Sequence, residues 1–399
     1  MPIVRSACVI GAGFAGLAAA EALSLAGVAV TVLEARDRVG GRVWSRRLEN
    51  GAVIEMGAEF VTESYTLMPG MVERLGLRLA PMGMSFNLRE PRGGLGADPA
   101  ALAEAVAAAG AAIERGEGDG LSAMQLLERL PIDPGARELI ACRLQVSYAH
   151  PAASIAADAV RDIAHLFVPA EARRVAGGNQ SLALRLAEGR DVRLSTPVHT
   201  VTAIESGQRV NGELDVDAVL VAVPAPAVAG IQFSPSLPDW KTAAIRRVVY
   251  GAAAKLAVPL TAAAPPSSVL AVREHFWTWT ARDGEGAVAP VVAAFAGSAP
   301  AVAALEVDRG AARYLERVQA LRPDLSLDGS RAVLATWPEG AYSSREPGRS
   351  AGDDDALARP AGRIAFAGEH TAGEWFATME GALRSGVRAA HDLLAVGGG

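Results

Sequence analysis

The sequence predicts an α/β fold: a doubly wound domain gathered from separate stretches of chain, with a discontinuous α+β domain set between them. Three observations carry this. The chain opens on a short apolar run, Ala7 to Ile10, then a glycine-rich turn, a helix-period stretch and a β-branched run, "VAVTVLEA". It closes on "GRIAFAGEHTAGEWFATMEGALRSGVRAAHDLL", again strand, loop and long helix. The middle has a different texture, helical first and then rich in strand-like runs. The resulting division puts residues 1–63, 185–234 and 337–399 in the first domain and residues 64–184 and 235–336 in the second.

Each element has its own signal. The first helix carries apolar residues at Leu17, Ala20, Leu23 and Ala26, a helical period, and Gly27 stops it. The next strand is almost continuously apolar, as a parallel strand buried on both faces should be. Residues 64 to about 180 read mostly as helices and loops, including an alanine-rich helix from near Pro99. "DVRLSTPVHTVTAI" and "ELDVDAVLVAVP" alternate like strands and end at a proline-rich turn. "AAKLAVPL", "REHFWTWT", "AVAPVVAAF" and "RAVLATW" supply the strands of the second domain.

Composition narrows the function classes. A chain of 399 residues is long enough for two domains with ample core. Apolar content of 50% and charged content of 21% are ordinary for a soluble globular protein. A net charge of -6 gives no reason to expect a nucleic acid or an anionic membrane as partner. Cys8 and Cys142 are too few for a disulfide framework. The N-terminus enters a strand at once, and no run approaches ~18 apolar residues, so a cytoplasmic protein without a membrane span is expected. The six histidines form no ligand pair at metal spacing, so no metal site is expected. There is no G-x-S-x-G nucleophile elbow either.

The strongest local signal is the first turn. Gly11, Gly13 and Gly16, with Ala15 between the last two, make G-x-G-x-x-G between a strand and a helix. The first glycine permits the tight turn, the second lets a pyrophosphate approach the backbone, and the third lets helix and strand pack closely. Phosphates then meet free N–H groups at a helix N-terminus. Glu34 ends the second strand, placed to accept from ribose hydroxyls and to disfavour a 2′-phosphate. This is the fingerprint of a Rossmann-like dinucleotide-binding domain.

The residues just after Glu34 separate the cofactors. "ARDRVGGRV", with a second glycine pair and flanking arginines, is more than a nicotinamide dinucleotide requires. It resembles the flavin-dependent, monoamine oxidase-like amine oxidase family. "GAVIEMGAEF" and the C-terminal block resemble that family too, with shorter matches at "TWPEGAYSS" and "TPVHTV". The resemblance covers about a third of the chain and implies a Rossmann-like FAD-binding domain beside a substrate-binding one. It implies cofactor contacts at Glu34, Ala35, Arg36, Gly41 and Arg42, and close passage of Gly57, Ala58 and Glu59. It also implies adenine pairing by the Val198 backbone, and Gly368 and Glu369 near the pyrophosphate and ribityl chain. Met379 would offer its N–H to the flavin at the start of the last helix. Covalently flavinylated relatives carry a cysteine where this chain has Ala341, so the FAD is expected to be bound non-covalently.

One residue stands out on physical grounds alone. Of 38 basic residues only Lys241 and Lys255 are lysines, and Lys255 lies in an apolar run. A lone buried ammonium is costly, so it needs a partner or a task. In the resembling family a lysine on a substrate-domain strand reaches toward flavin N5 through a water, and Lys255 occupies that place. The resemblance implies oxidation of an amine by hydride transfer to the flavin, imine hydrolysis, and reoxidation by O₂ to H₂O₂. Tyr342 then flanks the substrate, Thr378 stands where a second tyrosine would, and Phe60 or Trp277 can complete the pocket. Trp277 and Trp279 share one strand face, for which core packing is the other reading. Glu59 and Phe60 replace the carboxylate-binding arginine of L-amino acid oxidases, which implies an amine without an α-carboxylate. Glu59 either bonds the cofactor or meets a second ammonium of a diamine. Rival readings are a flavin desaturase or isomerase acting on C–C bonds, which would not need Lys255, and a non-catalytic FAD-binding protein. The oligomeric state, a homodimer among the options, stays open.

Overall fold

The computed structural model describes residues 4–338, 340–348 and 351–396. Five strands form a parallel sheet, in the spatial order Ile364–Phe366, Ala218–Val221, Ser6–Ile10, Ala29–Leu33 and Asp191–Arg193. Both faces of the central strand are buried. Ala7 and Val9 join the core under the helices, while Cys8 and Ile10 pack toward a small four-stranded sheet. That is why the strand reads as continuously apolar.

The helix Phe14–Leu25 lies on the first face and packs against the last helix, Met379–Val396. Their approach is close enough that a Cβ at Gly386 would stand 2.1 Å from the Ala15 carbonyl oxygen. The two ends of the chain are thereby clamped together, and both glycine-bearing loops sit at the C-terminal edge of the sheet.

The second sheet has six strands, in the order Val333–Trp337, Ala253–Pro259, Val291–Gly297, Phe276–Thr280, Ser267–Ala271 and Glu90–Arg92. Register sets Lys255 opposite Ala335 on one side and Phe295 on the other, and Phe295 opposite Trp277. Residues in cross-strand register share a face. Lys255, Phe295 and Trp277 therefore form one row across the sheet.

Residues 64–180 hold more strand than their pattern predicts. Leu79–Ser85 pairs antiparallel with Glu171–Val175, and Glu90–Arg92 adds an edge strand to the six-stranded sheet. The first of these alternates correctly, burying Ala80, Met82 and Met84. Alanine, methionine and glycine are weak strand formers, so propensity hid what burial imposed. Both cysteines are buried thiols, and burial pushes each up to about 12. Among the described residues no helix is long and apolar enough to cross a membrane, and no group of three potential ligands could hold a metal.

The other lysine is also inside. Lys241 Nζ donates to the carbonyls of Ala356 (2.7 Å) and Leu357 (3.0 Å), at the C-terminal end of the helix Ala351–Ala358. A cation there meets orphan carbonyls and the negative helix end. Burial, with Arg388 and Arg359 nearby, pushes its ammonium down to about 7. The unfolded chain then binds more protons than the folded one between about pH 7 and the ordinary lysine range. Stability should therefore rise with pH across that window. The expected outcome is that wild type gains on Lys241→Met between about pH 7 and about pH 9.5 in urea unfolding. A constant difference between the two proteins would contradict this.

Candidate active site

The glycine loop is shaped for a ligand's backbone approach. Gly11 has φ +103°, and a Cβ there would meet the Ala222 carbonyl oxygen at 3.0 Å. A Cβ at Gly16 would stand 1.9 Å from the Gly11 carbonyl oxygen. At Gly13 the same atom would meet nothing within 4 Å. The helix behind Gly13 has no side-chain N-cap and no acidic residue in its first turn. Open space in front of free N–H groups is what a pyrophosphate needs. The second glycine pair closes over this loop, with Gly40 N donating to Ala12 O at 2.8 Å and Gly41 at φ +59° packed on Gly13. Ala15 is buried in the first helical turn.

Glu34 is almost fully buried and accepts from the backbone N–H groups of Ala12 (2.7 Å) and Arg36 (2.9 Å). Each oxygen has a lone pair left over for a ribose hydroxyl. Ala35 and Arg36 are exposed beside it. The turn before Val198 is tied to the same strand end, with Thr196 N bonded to Glu34 O and Ser195 N to Arg36 O. The cradle, the acid and a neighbouring backbone edge thus fit a dinucleotide in extended form.

On the far side, Arg42 donates to Glu369 at 2.6 Å, and Glu369 also accepts from Ser343 Oγ and from Ala377 N at 2.9 Å. Burial acts to raise the Glu369 carboxyl, but Arg42 and these donors hold it below the usual range. Gly368, at φ +138°, turns the chain into this carboxylate. Ala58 N donates to Arg42 O, and a Cβ at Gly57 would stand 1.9 Å from that carbonyl oxygen. The segments carrying Arg42, Gly57, Ala58 and Glu369 therefore converge.

Lys255 has its partner. Its Nζ donates to Glu59 Oε2 (2.7 Å) and to the Gly57 carbonyl (3.0 Å), and the residue is 5% exposed. The other oxygen of Glu59 accepts from Arg174 Nη1 (3.4 Å) and Trp279 Nε1 (3.3 Å). Both oxygens of Glu59 are thus engaged by partners within the chain. Glu55 lies behind, and burial and then the Glu59 charge raise its carboxyl. Asn179, fully buried, pins this stretch by donating to the carbonyls of Ala58 and Glu59. A cavity of 20 Å³ adjoins Glu55, Glu59, Arg174, Lys255 and Trp279. That is room for one water, which needs at least ~10–15 Å³. Neither Arg174 nor Asn179 carries a sequence signal, and both come from a strand and turn that read as loop.

Removing the shared carboxylate should be costly. In Glu59→Leu two buried cations face each other uncompensated, a loss of ~3–5 kcal/mol. Urea unfolding of the FAD-loaded protein should show it, with Glu59→Gln intermediate. An unchanged midpoint for Glu59→Leu would refute the pairing.

Aromatic rings line the sheet face beyond the lysine. Trp277 and Trp279 stack at 4.2 Å, and Phe60 packs on both at 5.4 and 5.3 Å. Tyr342, whose hydroxyl is raised by burial, donates to Ser147 O at 2.8 Å. Thr378 does not face this cluster with its hydroxyl. It donates to Trp375 O (2.7 Å) and accepts from Gly381 N (2.9 Å), securing the start of the last helix. Met379 opens that helix, and the Tyr65 hydroxyl stands against Thr378 and the Met379 N–H. No local pattern marks Tyr65 for that place.

Comparison with known proteins agrees with this geometry. A family model described as flavin containing amine oxidoreductase matches residues 14–130 and 92–394. A lysine-specific histone demethylase 1 homolog from Arabidopsis thaliana is 27% identical over 97% of this chain, which spans only 52% of that relative's length. Polyamine oxidase 4 of Oryza sativa subsp. japonica is 28% identical over 97% of this chain and 88% of its own. Among solved structures, a putrescine oxidase bound to putrescine superposes with a TM-score of 0.84, at 25% identity, covering 98% of this chain and 99% of the other. A family match across nearly the whole chain makes this protein a member of the flavin-containing amine oxidoreductases, a flavoenzyme that oxidises amines with FAD.

Proposed function

We propose that the chain oxidises a neutral amine at the face lined by Phe60, Trp277 and Tyr342, with O₂ as the final acceptor. When bound, FAD supplies the oxidant, taking a hydride from the carbon beside the amine nitrogen and passing its electrons to O₂ to give H₂O₂. The resulting imine hydrolyses to an aldehyde or ketone. The cofactor is held by the Gly11–Gly16 turn, Glu34, Arg36, Gly41, Arg42, Val198, Gly368, Glu369 and Met379. Position 341 is alanine and both cysteines are buried elsewhere, so no thioether can anchor the flavin there. Residues 1–63, 185–234 and 337–399 form the cofactor domain in this reading, with residues 64–184 and 235–336 over the substrate.

The observation that carries the proposal is the bond from Lys255 Nζ to the Gly57 carbonyl. It sets a cation directly behind the Gly57–Ala58 segment. Glu59 fixes that cation in one orientation, and the adjoining cavity can hold a water on it. A fixed positive charge in a dry site stabilises negative charge developing on reduced oxygen. Most amines are protonated at neutral pH, and an apolar aromatic wall favours the free base by desolvation. The C–C desaturase reading gives this lysine cluster nothing to do. Anaerobic mixing of the holoprotein with primary, secondary and diamine substrates should bleach the flavin, and admitting O₂ should restore it with H₂O₂ formed. A flavin that no amine bleaches would overturn the reading.

A further inference from the structure

The aromatic wall carries two arginines that the chemistry above does not use. Arg89 lies with its guanidinium 3.6 Å from the Trp277 ring centroid, and its Nε donates to Phe86 O. Its Nη1 is buried without a hydrogen-bond partner. Arg143, 1% exposed, donates to Ser147 Oγ and Asn87 O but leaves its Nε unpartnered. The groups bearing electrostatically on Arg89 are Arg143, Cys142 and Tyr342, none of them a carboxylate. Two like charges, Arg89 half-buried and Arg143 fully buried, are therefore held together against an apolar cluster without a counter-ion among the described residues. Such an arrangement is costly unless something outside the chain completes it, because a buried charge needs a partner. The ring face of Trp277 offsets only part of that cost.

We propose, resting on the amine-oxidase reading, that Arg89 binds a carboxylate carried by the amine substrate, with Arg143 behind it as a positioning residue. The Arg89 guanidinium sits 3.6 Å from the Trp277 ring centroid with its Nε engaged by Phe86 O and its Nη1 without a partner, and a guanidinium's two terminal nitrogens match the two oxygens of a carboxylate. The two cations stand against different rings. Arg89 stands on Trp277, whereas Lys255 Nζ lies 5.3 Å from the ring of Trp279, the other member of the stack. In this proposal the acid group accordingly lies at the end of the substrate away from the reacting carbon. In the chain itself Gly57 and Ala58 are followed by Glu59 and Phe60, neither of which can pair with a carboxylate.

The test uses the FAD-loaded protein and two probe pairs. Benzoate and benzamide, read by tryptophan fluorescence, report anion binding without turnover. Benzoate should bind at least tenfold more tightly than benzamide, Arg89→Leu should erase the difference, and Arg89→Lys should keep part of it. In turnover, 4-(aminomethyl)benzoate should exceed 4-methylbenzylamine at least tenfold in kcat/KM. Arg89→Leu should lose that preference mainly through KM, because a contact equal in ground and transition states changes binding alone. Arg89→Leu should melt no lower than wild type, since it removes an uncompensated charge. Equal binding of benzoate and benzamide by wild type, or benzoate binding unchanged in Arg89→Leu, would overturn the proposal. Arg89-dependent benzoate binding in a protein whose flavin no amine bleaches would sink the oxidase reading and leave the anion site standing.

Discussion

Gly16→Ala should yield a protein that neither retains FAD nor folds stably. The added methyl would stand 1.9 Å from the Gly11 carbonyl oxygen, a backbone atom at the tightest point of the turn. Alanine gains up to ~1 kcal/mol of helix propensity over glycine. Overpacking against backbone costs ~3 kcal/mol or more, so the clash decides the sign. Gly13→Ala makes a sharp control, because its methyl meets open space. That variant should fold with near wild-type stability and lose FAD affinity, because the methyl occupies the phosphate's approach. Absorbance of the purified proteins and their urea midpoints check both. A yellow, stable Gly16→Ala protein would mean that the turn is looser than its contacts indicate.

Lys255→Met is the second large effect, and it is kinetic. The substitution removes the cation behind Gly57 but leaves Glu59 paired with Arg174, so the fold should survive. FAD should remain bound, since the Gly11–Gly16 turn and the Arg42–Glu369 pair are untouched. Loss of one preorganised electrostatic contact typically costs ~10²–10³ in kcat, and a fall of about that size is expected. Steady-state O₂ consumption with the best amine of the panel measures it. A variant that also loses its flavin would indicate a structural role for the lysine instead.

The parts of the fold and site that could be read in the sequence share a physical character. The glycine turn, Glu34 and the apolar strands announce themselves because backbone geometry and two-sided burial leave few residue choices. Lys255 is visible because an ammonium in an apolar run demands explanation. Its partners are not. Glu59 lies beside a recognisable motif with two open roles, and the structure assigns it to Lys255, Arg174 and Trp279. Arg174 is one arginine among many, on a strand whose partner is built from alanine and methionine. Its importance comes from a long-range approach that no local pattern encodes. Arg89 is hidden for the same reason, since only the folded chain lays it on Trp277. Lys241 is conspicuous as a rarity, yet its task, closing a helix end, depends on residues more than a hundred positions away.

A fixed ammonium at residue 255 that assists the transfer of electrons to oxygen is the centre of the proposed chemistry. Rapid mixing of pre-reduced protein with O₂, read by flavin absorbance, isolates that step from substrate binding and imine chemistry. Lys255→Met carrying a full complement of FAD should reoxidise at least tenfold more slowly than wild type. Reoxidation of the variant at the wild-type rate would contradict the role assigned to Lys255.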